Sequence, residues 1–215
     1  MTKFLISALS LFFISCQTQE NFKEVYEEPG IREDYLNTNR GIWQKPDLIM
    51  ELLGDLENKT VADIGAGSGF FTMKILPYAE KVIAIDIDPM FISILDSLKK
   101  ESLPESQQWR METRLADPNR APLNPGEVDV VLIVNTFMYI QDRVAYLKSL
   151  KENLKPGGKI VIIDFKKKIT SVGPPKPIRL ALDILEDELY EAGFDYIQTN
   201  DTYLDYQYII IAGIR

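Results

Sequence analysis

The chain has 215 residues, 46% of them hydrophobic and 26% charged, which suits one globular domain with a sizeable core. Its formal charge of −8 argues against a large nucleic-acid footprint, which needs a basic face. There is no histidine and only one cysteine, so an intrachain disulfide, a thiolate cluster and histidine-based metal or acid–base chemistry are all excluded.

The N-terminus has a basic residue at Lys3 and an apolar run from Phe4 to Ile14, too short to span a bilayer and the right length for a signal-peptide core. The run ends at Ser15 and the sole cysteine, Cys16, an arrangement that resembles a bacterial lipoprotein signal with Cys16 as the lipidated residue, although Phe13 stands where such signals usually carry leucine. The expected organisation is therefore a signal over 1–16, a polar tether over 17–28 and a domain over 29–215. Membrane association in the cell envelope follows from that reading, and the cytoplasm is the alternative.

Glu24–Arg40 is acidic, aromatic and irregular, and Tyr26, Arg32 and Trp43 are candidates to cover a ligand. Pro46 suits a first helical turn, and Leu48, Ile49, Leu52, Leu53 and Leu56 recur at helical spacing over Pro46–Leu56. Val61-Ala-Asp-Ile-Gly-Ala-Gly-Ser-Gly69 then gives a buried strand over Thr60–Ile64, a glycine turn, and a helix over Phe70–Leu76. The dinucleotide fingerprint wants its third glycine at position 70, where this chain has Phe70.

Lys81–Asp86 is a second short strand ending in an acid, at the spacing where a carboxylate takes two hydrogen bonds from a ribose diol. Asp88 with Pro89 fits a cap for a helix over Met90–Lys100. A third strand over Arg110–Ala116 ends at Asp117, which can accept from an adenine amine. Glu127–Asn135 reads as a buried parallel strand, with Asn135 at the end where open α/β sheets bind ligands. A helix over Arg143–Leu154, closed by Pro156-Gly157-Gly158, and a strand over Lys159–Asp164 follow. Lys166–Lys168 precede a helix over Ile178–Ala192, and Phe194–Thr199 with Tyr206–Ile214 close the chain as an antiparallel hairpin.

Five ordered pieces, residues 61–69, 83–86, 116–118, 128–135 and 154–159, resemble the class I S-adenosylmethionine-dependent methyltransferases of the type 11 branch. The resemblance implies an α/β fold: a Rossmann-like three-layer sandwich with helices on both faces of a mostly parallel seven-stranded sheet, order 3-2-1-4-5-7-6, strand 7 antiparallel. It implies that Asp63, Gly65, Ala66, Gly67 and Gly69 hold the amino acid end of the cofactor, Asp86 its ribose and Asp117 its adenine, with Ile87 also among the cofactor-binding residues. Asn135 would lie near the transferred methyl group. Relatives often carry histidine after the fourth strand, where this chain has Phe137-Met138-Tyr139-Ile140. No catalytic residue is assigned: proton removal would fall to Asp164, Tyr139 or water, or the acceptor would be a thiol, amine or arsenical. A small-molecule substrate, no metal and no nucleic acid are expected. The rivals are an exported binding module that keeps the fold without catalysis, and an NAD-linked oxidoreductase, which Phe70 and the lack of a hydride-handling acid or base disfavour.

Overall fold

The computed structural model describes residues 40–214. A short helix α1 (Arg40–Trp43) leads into α2 (Pro46–Leu53), and five β-strands interleaved with four α-helices follow before the terminal hairpin. The strands are β1 (Thr60–Ile64), β2 (Lys81–Asp86), β3 (Met111–Leu115), β4 (Val128–Val134), β5 (Leu154–Phe165), β6 (Tyr196–Asn200) and β7 (Gln207–Gly213). Between them run α3 (Phe70–Ile75), α4 (Pro89–Ser102), α5 (Arg143–Asn153) and α6 (Leu182–Glu191).

They form one seven-stranded sheet in the order β3-β2-β1-β4-β5-β7-β6. β1 to β5 are mutually parallel, and β7 runs antiparallel between β5 and β6. The sequence dictates this layering. β1, β2 and β4 are nearly continuous in Val, Ile, Ala and Leu, because a parallel strand with helices on both sides must be apolar on both faces. Ile83, Ile85, Val131, Ile133, Ile160 and Ile162 face a core shared with Leu147 and Leu150 of α5 and Leu185 and Leu189 of α6. Val82, Ala84, Val130, Leu132, Val161 and Ile163 face the other core, with Ile49 and Leu53 of α2, Phe71 and Ile75 of α3 and Leu95 of α4. Each such side chain contributes about 1.5–3 kcal/mol relative to exposure.

Several boundaries differ from the sequence reading. α2 stops at Leu53, where Gly54 turns the chain with φ 77. α4 starts at Pro89 and extends to Ser102, and Asp88 Oδ1 accepts from Met90 N at 2.8 Å as its cap. A 3-10 turn over Glu105–Arg110 precedes β3, which therefore starts at Met111. Pro156-Gly157-Gly158 belongs to β5, since Leu154 pairs with Val128 across an irregularity in the ladder. The expected helix from Ile178 starts at Leu182. Its missing first turn is taken by Arg179, whose buried guanidinium donates to the carbonyls of Pro174, Lys166, Lys168 and Val172 and to Thr170 Oγ1, so those residues stay a loop. Among the described residues no helix is long and apolar enough to cross a membrane. Cys16, the signal and tether, Tyr26 and Arg32 lie outside the described residues.

Candidate functional site

The site is assembled at the C-terminal ends of β1, β2, β4 and β5. Gly65 and Ala66 both donate to the carbonyl of Ile85, at 2.8 and 3.0 Å, which draws the glycine turn across the end of β2. Gly65 has φ 75, and a Cβ there would fall 2.1 Å from Thr136 Oγ1, so only glycine lets the β1 and β4 ends approach. Gly67 has φ 53, and a Cβ there would meet nothing within 4 Å. The turn is thus clamped on one side and open on the other.

Asp86 is buried at the tip of β2. Its Oδ2 accepts from Gly67 N at 2.8 Å and its Oδ1 from Asp88 N at 3.0 Å, and burial raises its carboxyl above the ordinary value. Asp63, the last acid of β1, is buried beneath the turn and takes the Thr72 hydroxyl at 2.6 Å on Oδ2. Burial pushes its carboxyl up to about 6, against the Thr72 bond and the positive field of Arg40. Asp63 therefore fastens the first turn of α3 to the end of β1. Ile87 is exposed beside Asp86. Asp117 is exposed past the end of β3, and its Oδ1 accepts from Asn119 N at 2.9 Å, closing a tight local turn.

Asn135 sits at the end of β4 with φ 58, half-buried, and its Oδ1 accepts from Gln207 Nε2 of β7. Asp164, near the end of β5, is fully buried. Its Oδ2 accepts from Met138 N at 2.8 Å, its Oδ1 has no partner, and burial pushes the carboxyl up to about 8. This carboxyl fixes the 3-10 turn Phe137–Tyr139 instead of facing solvent as a base. Tyr139, the other expected proton acceptor, is half-buried. Trp43 packs on Phe165 at 5.6 Å and edge-on to Tyr206 at 6.3 Å, which makes it a structural residue of the β5–β7 end.

Two features escaped the sequence reading. Arg40 lies over the rings of Phe70 and Phe71, at 4.9 and 5.4 Å, beside the glycine turn. Gln44 and Gln207 are fully buried and joined at 3.2 Å. No local pattern signals the second pair, since the two are 163 positions apart.

The strand order, the clamped glycine turn and the acid at the β2 tip make up a Rossmann-like α/β domain with the fold of S-adenosylmethionine-dependent methyltransferases. Residues 62–162 match the family model of the methyltransferase domain. The chain is similar to the tRNA U34 carboxymethyltransferase of Pseudomonas putida (strain GB-1), 28% identical over half of this chain and 33% of that protein. It is similar to the ubiquinone biosynthesis O-methyltransferase of Sodalis glossinidius, 26% identical over 53% of this chain and 44% of that protein. A SAM-dependent methyltransferase of Aquifex aeolicus shares its fold with a TM-score of 0.74 at 24% identity, over 86% of this chain and 97% of that one. The chain spans about a third of the length of the first of these curated relatives and under half of the second.

The residues present fit the cofactor. The face of the turn at Gly67 is open to a ligand, and a carboxylate at the β2 tip stands next to it.

Proposed function

We propose that the chain transfers the methyl group of S-adenosylmethionine to a small molecule, and that Cys16 carries a lipid that holds the domain at a membrane. The observation that carries the catalytic reading is the junction at Gly67, where an open glycine turn and the Asp86 carboxylate meet at the ligand-binding edge of the sheet. The cofactor, when bound, supplies a methyl carbon already activated by its sulfonium. The protein then mainly has to align an acceptor and exclude water. Gly65–Gly69 offer backbone against the amino acid end, Asp86 accepts from the ribose, and Asp117 from the adenine amine. Asp164 holds the Phe137–Tyr139 turn in place beside the acceptor. With that carboxyl tied to Met138, an acceptor that needs little proton removal suits the site.

The net charge of −8 supports a small-molecule acceptor over a nucleic acid. The leader reading supports the anchor, because an apolar core and the only cysteine of the chain coincide.

Calorimetry of the chain against S-adenosylmethionine and S-adenosylhomocysteine tests the reading, and absence of binding by both at millimolar ligand would sink it. Asp86→Ala is expected to weaken binding by about 1.5–3 kcal/mol, the range for a hydrogen bond to a charged group. Labelling cells with palmitate, with Cys16→Ser as control, tests the anchor: equal labelling of both chains would exclude lipidation at Cys16.

A further inference from the structure

A row of side chains joined head to tail runs from the glycine turn to the end of β4. Arg40 Nε donates to Gln44 Oε1. Gln44 Nε2 donates to Gln207 Oε1 at 3.2 Å, and Gln207 Nε2 donates to Asn135 Oδ1. The two glutamines are fully buried.

The direction of this row is set from one end. A guanidinium has donors and no acceptor, so Gln44 must turn its oxygen to Arg40. Its nitrogen is then the donor toward Gln207, where only an oxygen can receive it, and the same condition passes to Asn135. Turning any one carboxamide over would set two N–H groups against each other in a buried place and leave both without an acceptor. The ordinary ambiguity between amide nitrogen and oxygen is thereby removed by chemistry. At the far end Asn135 has spent its oxygen, and its Nδ2 has no acceptor among the described residues.

We propose that Gln207 is a positioning residue that turns Asn135 into a hydrogen-bond donor, so that the ligand atom seated beside Asn135 is an acceptor, such as a carboxylate, carbonyl or phenolate oxygen, and not an amine N–H. The direction of the carboxamide stands on the row alone. The assignment of the ligand class rests on the methyl-transfer reading, whose acceptor lies at this end of the sheet.

Two isosteric variants test it. Gln207→Glu still accepts from Gln44 but cannot donate, so Asn135 must turn its N–H2 inward. Gln44→Glu forms an ion pair with Arg40 and reverses both carboxamides beyond it from a distance. In the full chain labelled with nitrogen-15, the Asn135 side-chain protons are expected to exchange readily with water in the wild type. They are expected to slow by about tenfold in both variants, as one new hydrogen bond requires. Asn135→Ala, which removes the signal, identifies it. Protected Asn135 protons in the wild type, or unchanged exchange in both folded variants, would overturn the proposal. Because Gln44→Glu keeps a paired charge, it preserves the measurement if Gln207→Glu fails to fold. In the S-adenosylhomocysteine-loaded chain, 4-hydroxybenzoate is expected to shift the Asn135 protons and benzylamine to leave them in place; the opposite result overturns the ligand class. The exchange pattern needs no cofactor, so a failure of S-adenosylhomocysteine to bind would count against methyl transfer alone.

Discussion

Gly65 and Gly67 share a left-handed backbone yet do different work, and substitution separates them. Gly65→Ala drives a Cβ into the Thr136 side chain and adds the strain of φ 75, so a loss of at least about 3 kcal/mol is expected in chemical denaturation. Gly67→Ala meets open space and carries only the left-handed cost of about 1–2 kcal/mol, but its methyl group enters the ligand's place. Calorimetry should find cofactor binding abolished while the fold persists. Asp164 has a signature in pH. Its carboxyl titrates near 8 in the folded chain against 3.8 ordinarily, so the folded state holds a proton that the unfolded state gives up earlier. The stability it contributes is complete below about 4 and is lost as pH rises through about 8. Melting temperature should therefore fall between pH 5 and 9 in the wild type, and Asp164→Asn, which keeps an acceptor for Met138 N, should flatten that slope. Asp63 adds to the same fall with its midpoint near 6.

At the scale of elements, the loop 166–178 takes five hydrogen bonds from one side chain. Arg179 ties its guanidinium to four carbonyls and a hydroxyl and lies 5.2 Å over the Phe165 ring. Arg179→Ala should cost about 2–3 kcal/mol and speed trypsin cleavage at Lys166–Lys168, as followed by electrophoresis. The same loop marks where the sequence could be read and where it could not. β1 and β2 begin and end at the residues the apolar runs prescribe, because burial on both faces leaves no other pattern. The helix expected from Ile178 starts only at Leu182, because nothing local in the sequence reveals a guanidinium that competes for the backbone carbonyls. The turn and acids of the site are local features and legible for that reason. The row from Arg40 to Asn135 depends on neighbours distant in sequence, and polar residues scattered at such distances have no period to detect.

At the scale of the molecule, the sheet grades from a sealed centre to open edges. β1, β2, β4, β7 and the part of β5 from Ile160 are almost wholly buried, while β3 and β6 are half-exposed along their length. Amide exchange by mass spectrometry should follow that gradient, slowest in β1, β4 and β5 and fastest in β3 and β6. Faster exchange in β4 than in β6 would contradict the strand order. The two cores are independent in composition but share the sheet, so a cavity on either side should lower the one cooperative transition.

The placing of β7 between β5 and β6 has a consequence in time. β6 is made before β7 but has no sheet neighbour until β7 exists, so the pair must dock together as the last piece of the sheet. Gln207 is the first residue of that late strand. A nascent or truncated chain can form its glycine turn early, yet Asn135 gains its orientation only when synthesis has passed β7, which makes completion of the fold a precondition for a correctly polarised site.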